Sequence, residues 1–346
     1  METRIESLGA YLPARIQSTD ELIASMANPP QFNLEEITGI RNRRVHGPDE
    51  TTFTIAVRAA RDALSRSRYK PEELDIVVST SISRSKDDAM VTFEPCLAGA
   101  IAREIGAHAA IHFDLANACA GMMTGVLVLD RMIKAGLVRR GLVVSGEAIT
   151  PIAVTAAREI TAAWDPQFGS LTVGDSGVAL VIDPAAVAAG SDRIHYVELV
   201  TSCEYSSLCI GEPCERRAGL ALYTNNPEMH KKERVQLWPM LQRDFLASRG
   251  TTFEQERYDF IIQHQVGTRA IVNFTRLGGA MFGAKMPPSL EVVAELGNTA
   301  TTSHFLVLHQ MLAQGRVPRG SKILMVPAAS GLVTGCMSTT IRDLEV

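Results

Sequence analysis

DLANACAGMMTGVLVLDRMIKAGLVRRGLVVSGE, residues 114–147, and AELGNTATTSHFLVLHQMLAQGRVPRGSKILMVPA, residues 294–328, are two copies of one pattern. In each, a turn of small residues opens an apolar helical segment, a glycine closes it, and an apolar run follows. Spacing agrees as well as character. Cys119 to Gly136 and Asn298 to Gly315 are both 17 residues, and Cys119 to Gly141 and Asn298 to Gly320 are both 22. Upstream, PEELDIVVSTS (71–81) is similar to FEQERYDFIIQHQVG (253–267), which places His264 near the start of the second copy. A duplicated unit whose loops face each other gathers Cys119, His264 and Asn298 into one pocket, and a thiol, an imidazole and an amide together make a nucleophilic site.

The rest of the chain suits such an enzyme. At 346 residues, 46% hydrophobic and 21% charged, it is long enough for two core-bearing units. The net charge of −4 leaves no excess to grip nucleic acid or anionic lipid. METRIESLGAYLPARIQ (1–17) lacks a secretory pattern, and GMMTGVLVL (121–129) is cut short by Asp130 and Arg131 well before a bilayer span of about 20 residues. No membrane span and a cytoplasmic location are therefore expected. The six cysteines have neither the density of a disulfide scaffold nor zinc-site spacing, so reduced thiols and no metal are expected.

Short Val- and Ile-rich runs alternate with segments of helical period, the pattern of an α/β protein with crossover helices. Strands are predicted at 75–79, 112–115, 141–145, 177–182, 259–263, 290–294 and 322–326. Helices are predicted at 52–67, 94–105, 121–135, 235–248, 268–277 and 301–314. DPAAVAAGSDR (183–193) is the seam, dividing the chain into similar halves, 1–185 and 186–346. Two segments stand outside the repeat: the loop SRSKDDAMVTFEPCLAG (83–99), whose proline is read as opening a helix, and a polar, Pro-punctuated cap over about 200–240.

Cys119 lies where a strand gives way to a helix amino terminus, and the helix dipole there favours a thiolate. Ala118, Ala120 and Gly121 leave room for an incoming thioester. His264 ends the run DFII and points from a strand's carboxyl end into the crevice where open sheets bind ligands. Asn298 sits in the Gly-flanked turn GNTATTS, at the level of Cys119 by the repeat. Met122, near Cys119, is a candidate for an adaptable binding pocket. GDSG (174–177) has the look of a serine-protease motif, but its place between LTV and VALVI makes it a strand-to-strand turn with Asp175 as turn former.

With these residues in place the chain resembles the thiolase superfamily, and within it the ketoacyl synthase III-like condensing enzymes. The matching pieces are TGIRNRR (38–44), DLANACAG around Cys119, VGDSGVAL (173–180), HQVGTR (264–269), GNTATTS (297–303) and PAASGLVTG (327–335), in family order across essentially the whole chain. The resemblance implies a thiolase-like αβαβα five-layered fold, a homodimer joined through the first half, and acyl transfer from a thioester to Cys119. It implies that the backbone N–H groups of Cys119 and Ser330 hold the developing oxyanion, and that His264 and Asn298 stabilise the enolate of a second substrate. No cofactor is implied beyond the phosphopantetheine of acyl carrier protein, or coenzyme A, as substrate carrier.

The pattern is most similar to the head-to-head acyl-condensing members, the olefin-pathway and α-pyrone-forming ketosynthases. In those, a glutamate from the partner subunit's loop removes an α proton, and Phe93-Glu94-Pro95 resembles that loop. Glu94 is thus the implied base and Phe93 a substrate contact. Arg269 matches a family arginine that meets a carrier protein or phosphate. One departure stands out: PPQFNLEEITGI (29–40) lacks the Trp and Arg that hold adenine in initiating synthases, which favours a carrier-protein arm. The expected function is loading of an acyl chain on Cys119 and Claisen condensation with a second acyl thioester, giving a β-keto product or pyrone. The alternatives are a malonyl-using initiating synthase and an acyltransferase to a hydroxyl or amine.

Overall fold

The computed structural model describes residues 1–29, 32–86, 91–162, 164–186, 191–214 and 219–346. Its main sheet runs, strand by strand, as Ile111–Asp114, Ile76–Ser79, Gly141–Glu147, Ser176–Pro184, Thr3–Tyr11, Arg193–Thr201, Val333–Ile341, Ser321–Val326 and Phe260–Gln263. The order is symmetric about its middle. Thr3–Tyr11 meets Arg193–Thr201 through the register pair Thr3↔Ile194, and on either side come two antiparallel pairings and then a parallel one. The sheet is thus two arms with one plan.

Side-chain alternation along these strands builds the layers. In the first arm Ile76, Val78, Val143, Val178, Leu180 and Ile182 face the centre, while Val77, Leu142, Val144, Ala179 and Val181 face the outer helices Thr52–Arg66 and Leu97–Ile105. In the second arm Ile323, Met325 and Met337 face the centre, while Leu324, Val326 and Cys336 pack with Trp238, Leu246 and Phe253 from the outer helices on that side. Between the arms lie Gly121–Lys134 and Ser303–Ala313, whose Met122, Val126, Leu129, Phe305, Leu306 and Met311 fill one core. This is the expected αβαβα stack. Asp130, read as a break in the apolar stretch, is fully buried between the layers and held by Thr3 Oγ1 at 2.5 Å and Lys134 Nζ at 3.0 Å. Among the described residues no helix is long and apolar enough to cross a membrane.

Several local expectations are corrected. No strand forms at 290–294; a single parallel bridge, Ile261↔Ser289, stands where the first arm has Ile111–Asp114, and Val293–Leu296 is a short helix. The helix expected from 94 begins at Leu97, because the Asp114 carboxylate accepts the N–H groups of Leu97 and Ala98 at 3.0 and 2.8 Å; Pro95 does not open it. Asp175 does not form a strand-to-strand turn. It follows the 3-10 segment Pro166–Thr172 and its buried carboxylate collects the N–H groups of His46, Ile149 and Thr150 and the Thr150 hydroxyl. Three further strands, Thr3–Tyr11, Arg193–Thr201 and Val333–Ile341, form the middle of the sheet. Parts of the 83–99 loop, the 183–193 seam and the 200–240 cap, namely 87–90, 187–190 and 215–218, lie outside the described residues.

The repeat is real, but its register shifts along the helix. Ala118 (φ 45°) and Ala300 (φ 53°) each open a three-residue 3-10 turn, Ala118–Ala120 and Ala300–Thr302, that runs into a central helix. Both helices close on left-handed glycines, Gly136 (φ 73°) and Gly315 (φ 65°). The first helix has 14 residues and the second 11, so glycine spacing aligns the closing ends and is three residues off at the opening ends. The backbone counterpart of Cys119 is Thr301, and Asn298 enters the site from three residues upstream.

Candidate active site

Cys119 stands in its 3-10 turn against Ala329 and Val333, on the wall of a cavity of about 870 Å³. The turn is pressed into place from behind. A Cβ on Gly121 would lie 2.8 Å from Thr301 Oγ1 and 2.9 Å from Thr80 O, so only glycine lets the helix start this close. The expected thiolate is not the resting state. Burial, with smaller contributions from Cys209 and Glu147, pushes the Cys119 thiol up to about 12, so desolvation outweighs the helix terminus.

His264 follows the strand Phe260–Gln263, whose last residue pairs with Val326, and its own N–H donates to Val326 O at 3.2 Å. The side chain is nearly buried, with Nδ1 enclosed and without a partner, so Nε2 is the ring nitrogen turned toward the cavity that His264 lines. Burial, and then the neighbouring His304, pull its pKa down to about 3, and the imidazole is neutral. Asn298 is strung between segments. Its N–H donates to Thr172 O at 2.8 Å, its carbonyl accepts from Gly174 N at 3.0 Å, and its Oδ1 accepts from Ala300 N at 3.0 Å. That leaves the side-chain NH2 to offer to a ligand.

Ser330 also lines the cavity, in the turn after the short strand Ala328–Ala329, which pairs with Val333 and Thr334. Ser330 N–H has no acceptor among the described hydrogen bonds, Cys119 N–H reaches only its own sulfur, and the two turns pack against each other through Ala329. Two backbone donors with no other backbone partner, beside a thiol, are what an oxyanion needs. The remaining wall is mostly apolar, from Phe32, Phe168, Leu222, Trp238, Phe274 and Leu332, with part of the cap closing it through Cys209, Thr224, His230 and Arg234.

Not every residue singled out in the sequence reaches this cavity. Met122 does not: its side chain is fully enclosed in the central core, and helical geometry turns it away from the nucleophile. Phe93 is 81% exposed and Glu94 is exposed, both off the cavity wall of this chain. Arg269 is exposed too, paired with Glu36 at 3.4 Å beside the rim formed by Ile37 and Ala270. Three further residues stand near the site. Thr301 accepts the Met122 N–H, three residues past Cys119, Glu147 is a buried carboxylate raised to about 7 by burial, and His304 stacks on His264. A histidine in the otherwise apolar HFLVL was the one signal available for His304.

The family model for 3-oxoacyl-[acyl-carrier-protein (ACP)] synthase III matches residues 113–202, and the model of its C-terminal part matches residues 250–341. Together they take in Cys119, His264, Asn298 and more than half of the chain. The chain belongs to the 3-oxoacyl-[acyl-carrier-protein] synthase III family. Proteins named beta-ketoacyl-[acyl-carrier-protein] synthase III are similar to it end to end: that of Streptomyces lividans is 29% identical, over 95% of this chain and 92% of that protein. That of Symbiobacterium thermophilum is 26% identical over 96% of each. Among solved structures, OleA of Xanthomonas campestris, in a Cys-to-Ser form with bound lauric acid and lauroyl-CoA, superposes with a TM-score of 0.81 at 22% identity, covering 98% of this chain and 99% of that one. FabH of Pseudomonas aeruginosa superposes with a TM-score of 0.81 at 21% identity and covers 100% of both chains. The fold is shared with both. As a member of the synthase III family, the protein is a condensing acyltransferase, a ketosynthase.

Proposed function

We propose that this ketosynthase condenses two acyl chains head to head, without a malonyl donor. The observation that carries this reading is the cavity itself: a large, mostly apolar space with Cys119, His264 and Asn298 on its wall and, among the described residues, a single acid of this chain on that wall. Asp165 is the one acid on the wall, and its carboxylate caps its own turn through Gln167 N at 2.9 Å. A base for a simple acyl thioester then comes from a second copy.

In the loading step the Cys119 sulfur bonds to the thioester carbonyl carbon, and the carrier's sulfur leaves with a proton. Because the thiol is neutral at rest, its proton departs as the bond forms, and the neutral His264 Nε2 is the acceptor at hand. The oxyanion is held by the N–H groups of Cys119 and Ser330. In the second step an α proton of the second acyl thioester passes to Glu94 of a second copy. The enolate, stabilised by His264 and Asn298, attacks the Cys119 thioester, and the Cys119 sulfur is released. The product is a β-keto thioester that hydrolyses or, where one of the two chains already carries a β-keto group, cyclises to a pyrone. The second copy belongs to a homodimer built on Ile111–Asp114, an edge strand whose Ile111 is exposed and whose outer ladder is open; pairing it with its copy satisfies that edge. The acyl groups arrive on the phosphopantetheine of acyl carrier protein or on coenzyme A, with Arg269 at the rim meeting the carrier and Phe93 entering beside Glu94.

The test is intact-protein mass after mixing with acyl-CoA and acyl-carrier thioesters, with Cys119→Ala alongside, followed by product analysis without any malonyl thioester. An adduct absent from the variant, together with a β-keto product from two simple chains, or a pyrone when one chain is a β-ketoacyl thioester, is expected. A chain that grows only with malonyl thioester makes the protein an initiating synthase. Transfer to a hydroxyl or amine makes it a simple acyltransferase.

A further inference from the structure

His304 is fully buried, one residue into the central helix Ser303–Ala313 that follows Asn298. Its ring lies 5.8 Å from that of His264, centroid to centroid, with the planes 19° apart. Its Nε2 lies 2.9 Å from Val326 O. A carbonyl only accepts, so His304 carries its proton on Nε2 and its orientation is set. The same carbonyl takes the backbone N–H of His264 at 3.2 Å, using its second lone pair. Val326 is the last residue of its strand, and four residues on lies Ser330. One carbonyl therefore joins His264, the Asn298 helix and the strand that leads to the oxyanion turn.

We infer that His304 is a positioning residue for the condensation step, holding the His264 ring through this shared carbonyl and through ring contact. The inference rests on the role proposed above for His264. His264 needs such a device because its Nδ1 has no partner of its own to fix the ring. In most sites a histidine is oriented by a hydrogen bond at the nitrogen away from the chemistry; here the second ring takes that place. Nearly parallel rings at this distance also exclude two positive charges. Burial pulls His304 down to about 4 and His264 to about 3, and His304 is the one titratable group among the described residues whose charge acts on His264. Above pH about 5 both are neutral, so the contact works through geometry at working pH.

The experiment separates loading from condensation in His304→Gln, His304→Leu and His264→Ala, each checked for folding by thermal melting. Gln keeps a donor for Val326 O without the ring; Leu keeps neither. Cys119 acylation, read by intact mass, is expected to reach completion in both His304 variants, more slowly in His304→Leu because His264 also takes the Cys119 proton. The condensation kcat is expected to fall about 10- to 100-fold in His304→Leu, the scale of a misplaced catalytic group, and to recover at least partly in His304→Gln. Wild-type condensation by His304→Leu, or equal loss in His304→Leu and His304→Gln, overturns the inference. Should His304→Leu fail to fold, the well-folded His304→Gln decides alone: a loss as complete as that of His264→Ala overturns it. Unimpaired condensation by His264→Ala instead removes the reading on which it rests.

Discussion

The backbone N–H of Met122 donates to the hydroxyl of Thr301 at 2.7 Å, tying the first turn of the helix behind Cys119 to the opposite half of the molecule. Thr301 is the backbone counterpart of Cys119 in the second copy, so the two halves interlock one turn past Cys119. Thr301→Val keeps the shape and removes the acceptor. The orphaned buried N–H costs about 1–3 kcal/mol, lowering the melting temperature and slowing Cys119 acylation, whereas Thr301→Ser retains both. Equal melting temperatures for the Val variant and the wild type would contradict this.

Gly121→Ala brings a methyl against Thr301 Oγ1 and the Thr80 backbone. Overpacking of about 1–3 kcal/mol is expected, with loss of acyl loading, since the nucleophile's turn has to move. Gly47→Ala is the control, because its Cβ would make an ordinary 3.5 Å contact with Glu50. Denaturant midpoints of the two variants check the difference.

The raised Cys119 pKa fixes a pH dependence. With the thiol near 12, the thiolate fraction grows about tenfold per pH unit across the neutral and mildly alkaline range. Alkylation of the free enzyme by iodoacetamide, followed by mass, should keep rising through pH 9 without levelling. A plateau below pH 8 would mean that a thiolate–imidazolium pair is already formed at rest.

Gly169 lies on the cavity wall, where a Cβ would meet only Thr224 Oγ1 at 3.5 Å. Gly169→Val therefore folds and narrows the cavity. The longest acyl chain loaded on Cys119 should shorten while short chains load at unchanged rates, as read by mass across a chain-length series. An unshifted series would place the acyl chain elsewhere.

His46 donates its backbone N–H to Asp175 and lies 2.6 Å from the same carboxylate through Nδ1, and this hydrogen bond, ahead of the opposing effect of burial, raises its pKa from 6.5. A raised folded pKa means stabilisation that is fully present below the unfolded value and is lost as pH rises through the folded one. The melting-temperature gap between wild type and His46→Asn should thus be widest at pH 6 and narrow steadily above pH 7. A gap that widens with pH would reverse the sign and refute the pairing.

The family motifs and the triad of Cys119, His264 and Asn298 were legible in the sequence because their residue types and spacing are local. So were strands such as 75–79 and 141–145, whose apolar runs are buried on both faces whatever lies beside them. Residues 290–294 have the same apolar character, yet they make only one bridge, because strand formation depends on a neighbour's register. The middle strands Thr3–Tyr11 and Val333–Ile341 gain their identity only by pairing across the chain's full length, which no local pattern records.

By itself, then, the sequence determined that the chain repeats, that it folds as α/β layers, and which three side chains meet. The tertiary structure alone decided that Met122 packs inward, that Thr301 rather than Asn298 mirrors Cys119, that burial holds the thiol protonated, and that His304 lies on His264. Each of those outcomes depends on what lies across a layer or a sheet, and on how much water is excluded there. Desolvation and packing are properties of the assembled interior, so the order of residues along the chain cannot carry them.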